Sequence, residues 1–396
     1  MIKIHLKPGK EVPILRFHPW VFSGAIARVE GQPEDGDAAG VYDRSGQLLG
    51  VGHFHNGSIT VRMLSFGPAD LNDPQFWVDK LTKAAAARQA IGLLDNPATN
   101  CFRLVHGEGD GLSGLIVDVY GLTAVLQCHS VGMHRQRHLL AAAIRRVLGQ
   151  DYAVYDKSGE ALPPKYAAHQ SNGYLDGPEA PGLPTGMVVE NGVQFKIDWV
   201  QGQKTGFFLD QRDNRALLGH FVRGKTVLNA FCYTGGFSAY ALQAGAAEVH
   251  SVDVSAKAMA LAEENIALNA PFEGEHHGFC ADVLQFLKNA DRLYDVLVID
   301  PPAFAKSMEK RHNAVQGYKR LNLAAIQQTA PGGIIFTFSC SQVVDRELFY
   351  HTIVAAAMEA GRPVRVLHHL TQGADHPVSL FHPEGAYLKG LVLYVE

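Results

Sequence analysis

The chain has 396 residues, of which 47% are hydrophobic, and a formal net charge of −4 at pH 7. This length exceeds what one ordinary hydrophobic core accommodates, so two or three domains are expected. No stretch approaches the roughly 18 unbroken apolar residues of a membrane span, and the net charge gives no global nucleic-acid signal, so any such contact must come from local basic patches.

The cysteines and histidines predict no structural metal or disulfide. The five cysteines are far apart and form no CxxC pair, which argues for a reducing, cytoplasmic environment. The 19 histidines are scattered, with no HxxxH or Cys/His grouping of ligand quality, so no metal site is predicted. The first 20 residues mix charges with short apolar runs and predict neither a secretory signal nor a transit peptide.

Residues 1–70 predict a small all-β module. Short runs rich in β-branched and aromatic residues occur at 39–43, 48–54 and 58–64. Turn signals such as "EDGD" and "HNGS" separate them, a pattern typical of short antiparallel strands.

Residues 71–187 predict a central α/β region. A helix is expected to begin after Asp73 and Pro74. Strand patterns around a Gly-rich turn follow within 101–130, then a second helix and a further strand. The Pro/Gly-rich passage at 160–187 predicts a linker or long loop.

From residue 188 to 396, strand and helix patterns alternate. Parallel βαβ units with near-continuous apolar strands predict a doubly wound α/β sheet covered on both faces. In such a sheet, ligands bind at the carboxyl ends of the strands, near the switch point. The predicted strands are 226–231, 248–254, 276–282, 294–302 and 333–340.

The loop after the first of these strands, "NAFCYTGGFS", predicts a ligand-binding turn. Its two glycines let the backbone approach a ligand and open a helix whose N-terminus favours an anionic group. The dinucleotide pattern GxGxxG is not present, which weakens a dehydrogenase interpretation. The predicted ligand contacts in this loop are Phe231, Tyr233, Thr234, Gly235 and Gly236.

Acidic residues end three successive strands. Asp253 is placed to accept hydrogen bonds from a ribose diol, Asp282 to meet an adenine amino group, and Asp300 opens "DPPAF". A single strand-terminal Asp is more often a turn or helix cap. Three in this order behind a Gly-Gly loop favour a nucleoside-bearing ligand.

At this point the sequence resembles a known family. Residues 225–340 resemble class I S-adenosylmethionine-dependent methyltransferases, and the whole chain resembles the RlmI-like family of 23S ribosomal RNA cytosine-5 methyltransferases. The resemblance rests on "HPWVFSGAI" (18–26), "RLVHGEGDGLSGLIVD" (103–118), "GQKTGFFLDQR" (202–212), "FCYTGGFS" (231–238), "DPPAF" (300–304), "SCS" (339–341) and "HPEGAYLKG" (382–390).

The resemblance implies three domains, a cofactor and a partner. It implies a PUA RNA-binding domain at 1–70, a central α/β domain at 71–187 and a Rossmann-like methyltransferase domain at 188–396. The implied cofactor is S-adenosylmethionine, held by the loop and acids above, with Asp300, Gln211 and Arg212 among its contacts. Lys204 and Thr205 are further candidates for the cofactor wall. The implied partner is ribosomal RNA.

Cys340 follows the fifth predicted strand, between two serines. Its position alone is compatible with a nucleophile and with a small buried hydrophobe equally; the resemblance favours the nucleophile. A thiolate added to carbon 6 of cytosine makes carbon 5 nucleophilic. Asp300, on the neighbouring strand, can then hydrogen-bond the cytosine ring nitrogen and amino group. The flanking serines offer hydrogen bonds near the thiol.

A basic cluster after Asp300 predicts contacts with RNA. A solvated helix face explains such charges equally well, and phosphate contact is the alternative. The residues predicted to contact RNA are Pro301, Phe304, Lys306, Lys310, Arg311, Lys319 and Arg320.

Two other functions stay open. "DPPAF" resembles the motif of enzymes that methylate an exocyclic amine, and guanine methylation likewise needs no cysteine. The chain is also compatible with a non-catalytic RNA-binding ribosome-assembly factor that retains a cofactor pocket. A homodimer is a further arrangement with which the sequence is compatible.

Overall fold

The structure is a computed structural model that describes residues 1–176, 186–305 and 307–396. The described residues form two compact units. The first comprises those of Met1–Val188, Ile197–Leu209 and Ala374–Gly385; the second comprises Val189–Lys196, the described part of Asp210–Gly373, and Ala386–Glu396. The predicted domain boundaries at 70 and 187 stay a prediction. Residues 177–185 of the expected linker lie outside the described residues.

The first unit opens with a six-stranded sheet. Its strand order is β2-β6-β5-β4-β1-β3. In the turn from β4 to β5, the Asp43 carboxylate accepts hydrogen bonds from Ser45 Oγ and the Gln47 amide, both at 2.8 Å. The elements are β1 (Ile2–Leu6), α1 (Val12–Leu15), β2 (Trp20–Phe22), β3 (Ile26–Glu30), β4 (Ala38–Tyr42), β5 (Leu48–Phe54) and β6 (Ile59–Ser65).

A five-stranded sheet with helices follows in the same unit. Its order is β11-β10-β9-β8-β7. The first helix of this region begins at Pro74, one residue earlier than expected, and the Asp73 side chain caps it by accepting from the Gln75 amide at 2.9 Å. The elements are α2 (Pro74–Ala90), β7 (Cys101–His106), β8 (Leu115–Tyr120), β9 (Thr123–Cys128), α3 (Val131–Arg135), α4 (Arg137–Leu148), β10 (Ala153–Asp156), α5 (Pro164–Ala167) and β11 (Gly173–Tyr174).

The six-stranded sheet has a hydrophobic core of its own and also contributes to the core of the five-stranded sheet. Val51 and Leu64 of the six-stranded sheet belong to the same buried cluster as Trp77 and Leu81 of α2. Removing residues 1–70 would therefore uncover part of this core, at roughly 25 cal/mol for each Å² of apolar surface exposed to water. Point substitutions at surface residues therefore test RNA binding by this region without the loss of stability that truncation would cause.

The second unit is built on a seven-stranded sheet. A two-stranded sheet of β12 (Gly186–Glu190) and β13 (Val193–Ile197) precedes it. The further elements are α6 (Arg212–Leu218), β14 (Thr226–Ala230), α7 (Gly236–Gln243), β15 (Glu248–Asp253), α8 (Ala256–Ala267), β16 (Glu275–Cys280), α9 (Val283–Asn289), β17 (Tyr294–Ile299), α10 (Arg311–Gln327), β18 (Thr329–Ser339), α11 (Arg346–Ala360), β19 (Val364–Leu370) and β20 (Lys389–Val395).

The strand order in this sheet is β16-β15-β14-β17-β18-β20-β19. β16 to β18 pair in parallel, and β20 runs antiparallel between β18 and β19. Alternate residues of β17 face two different cores: Leu297 and Ile299 lie in one cluster, Val296 and Val298 in the other. The predicted doubly wound sheet, covered on both faces, is confirmed.

Within the described residues, no helix combines the length and the apolar character needed to cross a membrane.

Candidate active site

Parallel strands of the second unit bring three predicted site residues to one edge. β14 lies between β15 and β17, and β17 pairs with β18. β15 ends at Asp253, β17 ends one residue before Asp300, and β18 ends one residue before Cys340. Because the chain order reverses on either side of β14, the loop after β14 lies at the switch point of the sheet.

The loop after β14 has an unusual backbone. Phe231, Tyr233 and Gly235 have φ angles of 60°, 47° and 78°, all in the left-handed region, which is uncommon for bulky residues. Asn265 fixes the turn by donating its Nδ2 to the Thr234 carbonyl at 3.0 Å. A side chain at Gly235 would meet Ala262 of α8 at 3.1 Å, so Gly235 permits close helix packing as well as the turn. The loop is held rigidly, with Gly236 as the first residue of α7.

Asp253 is tied to this loop. Its Oδ2 accepts from the Tyr233 amide at 3.1 Å and its Oδ1 from the Ser255 amide at 2.9 Å. Each carboxylate oxygen can accept a second hydrogen bond, so the half-buried side chain can still receive ribose hydroxyls. Asp282 is exposed and caps α9, accepting from the Gln285 amide at 2.9 Å. The helix-cap interpretation therefore holds for Asp282, which leaves its Oδ2 as the oxygen available to a ligand.

Asp300 lies among polar groups from the segment before β14. Gln211 donates its Nε2 to Asp300 Oδ2 at 2.9 Å, and Asn214 holds the Gln211 Oε1 at 2.6 Å. Burial and the neighbouring Asp210 carboxylate raise the pKa of Asp300 to about 7, against its ordinary 3.8. Asp300 is therefore part protonated near neutral pH, able to donate a hydrogen bond as well as accept one.

Cys340 is half-buried beside these acids. Burial, then the carboxylates of Asp300 and Asp210, raise the pKa of the thiol to about 11, and the Lys389 ammonium opposes them. In the ligand-free protein the thiol is therefore neutral at pH 7. The expected support from the flanking serines is not what the structure shows: the Ser341 hydroxyl donates to the Ala305 carbonyl at 2.7 Å.

Three other residues predicted from the "GQKTGFFLDQR" segment are described by their surroundings within their own unit, and their cofactor roles stay predictions. The Arg212 guanidinium is buried beside Glu190, with Nε 3.7 Å from Oε2. Thr205 belongs to the first unit, where its hydroxyl donates to Asp118 Oδ2 at 2.5 Å. Lys204 is an exposed residue of the first unit. Gln211 of this segment reaches the site through its bond to Asp300, and Asp210 lies close enough to raise the pKa of that carboxyl.

The residues predicted to contact RNA differ in their exposure and in the partners that they already have. Arg311 pairs with Asp345 at 3.3 Å and Lys319 with Glu359 at 2.6 Å, so these cations already have carboxylate partners. Pro301 is buried, Lys310 and Arg320 are exposed, and the Phe304 ring packs against Tyr318 with centroids 4.6 Å apart. Lys306 lies outside the described residues.

Sequence reasoning missed three residues around the site. The Asp210 Oδ2 accepts from the Tyr387 hydroxyl at 2.6 Å, and Lys389 lies close enough to Cys340 to affect its pKa. All three residues lie within segments quoted for the family resemblance, "GQKTGFFLDQR" and "HPEGAYLKG". The resemblance marks both segments as shared with the family, but the spacing of these residues in the sequence does not show that they meet at the ends of β17 and β18.

Two groups of side chains in the described part of the chain have metal-ligand composition. The first group is His18, His382 and Glu384, and the second is Glu248, His250 and His277. Internal contacts account for members of both: His382 bonds to Glu384 at 2.8 Å, and Arg292 holds both oxygens of Glu248 at 2.8 and 2.7 Å. The expected absence of a metal site stays a prediction, as does a homodimer.

The hydrogen-bond acceptors at the sheet edge fit S-adenosylmethionine. In the described residues, Asp210 Oδ1 is buried with no hydrogen-bond partner, and such an atom costs about 1–3 kcal/mol unless a ligand supplies a donor. An ammonium would do so, and the Asp253 carboxylate suits a diol. A ligand that carries both an amino-acid ammonium and a ribose matches these acceptors.

The raised pKa of Asp300 makes folding stability depend on pH. Between about pH 4 and 7 the folded protein holds a proton that the unfolded chain releases, so stability falls as the pH rises through this window. In Asp300→Asn this loss is absent. At each pH we take the melting temperature of the variant minus that of the wild type. We expect this difference to be larger at pH 8 than at pH 4 by about 2 °C or more. Calorimetry that finds the same difference at both pH values would contradict the buried, protonated carboxyl.

Family models match two parts of the chain. A model described as a PUA-like domain matches residues 4–66, and one described as an S-adenosylmethionine-dependent methyltransferase matches residues 137–371. These matches confirm the predicted order of a PUA-like segment before a methyltransferase segment.

Relatives match over the full length. Ribosomal RNA large subunit methyltransferase I of Shewanella amazonensis is 39% identical over 399 residues, with 100% of this chain and 99% of the relative covered. The protein of the same name from Aeromonas hydrophila is 39% identical, with 98% of each covered. The solved structure of SMU.776, described as a methyltransferase complexed with SAH, has a TM-score of 0.84 at 23% identity over 100% of both chains, a likeness of fold. The chain therefore belongs to the family of S-adenosylmethionine-dependent methyltransferases that includes ribosomal RNA large subunit methyltransferase I.

Proposed function

We propose that this protein methylates carbon 5 of a cytidine in 23S ribosomal RNA. The observation that carries the proposal is a half-buried thiol, Cys340, beside a carboxyl of raised pKa, Asp300, at the ligand edge of a methyltransferase sheet. The large ribosomal RNA as substrate is supported by the names of the relatives. A ribosomal RNA substrate places the reaction in the cytoplasm.

The cofactor would be held by the loop after β14 and by the acids around it. Asp253 would take the ribose hydroxyls, and the rigid turn from Phe231 to Gly236 would lie against the nucleoside. Asp210 and Gln211 would face the amino-acid end, and the exposed Asp282 the base. When bound, S-adenosylmethionine supplies an electrophilic methyl group on a positively charged sulfur.

The chain's own residues would make the cytosine reactive. The half-buried Cys340 thiol gives its proton to water, and the thiolate adds to carbon 6 of the ring, so that carbon 5 gains nucleophilic character. Asp300 in its acid form donates to the ring nitrogen and takes up the negative charge that the addition creates. After methylation a base removes the proton from carbon 5, and the Cys340 thiolate leaves. Alternatives that need no thiol are methylation of an exocyclic amine or of guanine.

Basic and aromatic groups near Asp300 would contact the RNA. Lys310 and Arg320 are exposed, so both can bind phosphate. Phe304, which is 36% exposed, can lie against a base. Arg311 and Lys319 would have to exchange their present carboxylate partners for phosphates, as surface ion pairs readily do.

An exposed aromatic cluster in the first unit supports a second RNA contact, through the PUA-like domain. The Phe17 ring lies 5.3 Å from that of Phe66 and 5.2 Å from that of Phe381. The three residues are 50%, 40% and 51% exposed. Phe17, the residue after the Arg16 C-cap of α1, has a φ of 63°, at a position where glycine is usual. We infer that these rings stack on unpaired RNA bases.

Loss of the ribose acceptor should weaken cofactor binding. In Asp253→Ala, we expect the affinity for S-adenosylhomocysteine to fall by about 1–3 kcal/mol, since ligand hydroxyls lose a charged partner. The matched control is Asp345→Ala, which also removes a helix-capping carboxylate of the same unit and should leave the affinity unchanged. Calorimetry that finds equal affinities for both variants and wild type would remove Asp253 from the cofactor site.

Loss of the thiol should abolish methyl transfer but not binding. Cys340→Ala should show no turnover, whereas the control Cys280→Ala, at an exposed cysteine, should be fully active. RNA with 5-fluorocytidine at the target should trap the wild-type protein in a covalent adduct, because fluorine cannot leave as a proton. Normal turnover by Cys340→Ala, or a methyl group found on nitrogen, would replace this proposal with amine or guanine methylation. Cofactor binding without turnover on any ribosomal RNA would favour the non-catalytic assembly factor.

The aromatic cluster predicts a separate effect on RNA affinity. Phe17→Ala should weaken binding of single-stranded ribosomal RNA fragments roughly tenfold, because base stacking is worth about 1–3 kcal/mol per base. The affinity for S-adenosylhomocysteine should stay the same. Leu122→Ala, at a side chain that is 51% exposed outside the cluster, serves as the control. Equal RNA affinities in both variants would show that the cluster does not bind RNA.

A further inference from the structure

Lys389 is a buried lysine that the proposed chemistry does not yet use. It is the first residue of β20, directly opposite Ser339 of β18, the residue before Cys340. Its residue surface is 6% exposed. Lysine is almost never this buried unless its charge is paired, yet the hydrogen bonds shown for Lys389 Nζ go to backbone carbonyls. This position calls for a physical reason.

The Lys389 ammonium holds the loop that carries Cys340. Its Nζ donates to the Ser341 carbonyl at 2.6 Å and to the Val344 carbonyl at 2.8 Å. These carbonyls lie on the segment between β18 and α11, immediately after the thiol. The two bonds tie this segment to β20 and thereby fix where the chain turns at Cys340.

The charges around the thiol make the ammonium important. The carboxylates of Asp300 and Asp210 face Cys340 and disfavour its thiolate, whereas the Lys389 ammonium stabilises that thiolate. The neighbouring Tyr318 carries no charge, because burial raises the pKa of its hydroxyl to about 12. Lys389 itself is faced by the Cys340 thiol, Asp345 and Arg346, and burial lowers its pKa to about 8. It is therefore charged at pH 7, and it is the cation that opposes the two carboxylates.

We propose that Lys389 is a positioning residue for Cys340, which fixes the loop of the nucleophile and stabilises its thiolate by charge. This inference rests on the proposed role of Cys340 as the nucleophile. It assigns a function to the "HPEGAYLKG" segment, to which the proposed reaction gives none. No hydrogen bond from Nζ to the thiol is present in the described residues, so the stabilisation acts through the electric field.

The test measures the thiol directly, without RNA or turnover. The rate of Cys340 alkylation by iodoacetamide is followed from pH 6 to 10 by mass spectrometry of the peptide, in a Cys280→Ser background. In Lys389→Met the rate at pH 7 should fall roughly tenfold, because the thiolate loses a nearby positive charge. The gap to the wild-type rate should narrow above about pH 8, where the wild-type lysine loses its own charge.

Three further variants separate charge from structure. Lys389→Gln keeps a donor for the loop carbonyls without the charge, so its Cys340 should be alkylated as slowly as that of Lys389→Met. In Lys389→Arg the positive charge remains, and most of the wild-type alkylation rate should be kept. Lys80→Met removes a half-buried lysine, which donates to the Gly111 carbonyl at 3.2 Å in the first unit, and should leave Cys340 unaffected. If Cys340 of Lys389→Gln is alkylated at the wild-type rate over the whole range from pH 6 to 10, the electrostatic role of Lys389 is overturned. Turnover by Cys340→Ala would instead overturn the proposed function, whatever the alkylation rates are.

Discussion

The parallel register of the seven-stranded sheet is the constraint on which the candidate site depends. Alternate residues of β17 lie in two different hydrophobic cores, so a shift of one residue would exchange Leu297 and Val298 between them and disrupt both. The same register sets where each strand ends, and Asp300 and Cys340 each follow directly after a strand. Packing in the two cores thus fixes the spacing of groups that make no hydrogen bond to each other.

Burial at this edge sets the protonation states of the site. It raises the pKa of Asp300 to about 7 and that of Cys340 to about 11, so near pH 7 the Asp300 carboxyl is partly protonated and the Cys340 thiol is neutral. This state protects the thiol from oxidation and other electrophiles, because the thiolate is the reactive form. Forming the thiolate then depends on a protonated Asp300 and a charged Lys389. Both conditions hold together below about pH 7, the pKa of Asp300, because Lys389 keeps its charge up to about pH 8.

Local sequence patterns predicted the strands and the residues at their ends, but not the residues that return to the site from distant elements. Asp253 and Asp300 could be found because an acid after an apolar strand has a known position in a parallel sheet. Asp210 and Lys389 could not be found in this way, since one precedes β14 and the other begins the antiparallel β20, and only tertiary packing brings them together. Cys340 could be placed, but its expected serine partners were wrong, because Ser341 bonds to the Ala305 carbonyl instead.

The proposed reaction also explains why the protein needs RNA contacts beyond the sheet edge. A half-buried thiol cannot reach carbon 6 of a stacked cytosine, so the target base must be unpaired or turned out of its helix, at a cost of a few kcal/mol. Binding energy from elsewhere has to offset this cost. Stacking on exposed rings contributes about 1–3 kcal/mol per base, so one or two bases on the Phe17, Phe66 and Phe381 cluster would suffice. Rigid rings suit this role better than flexible side chains, because little conformational entropy is lost when a base binds.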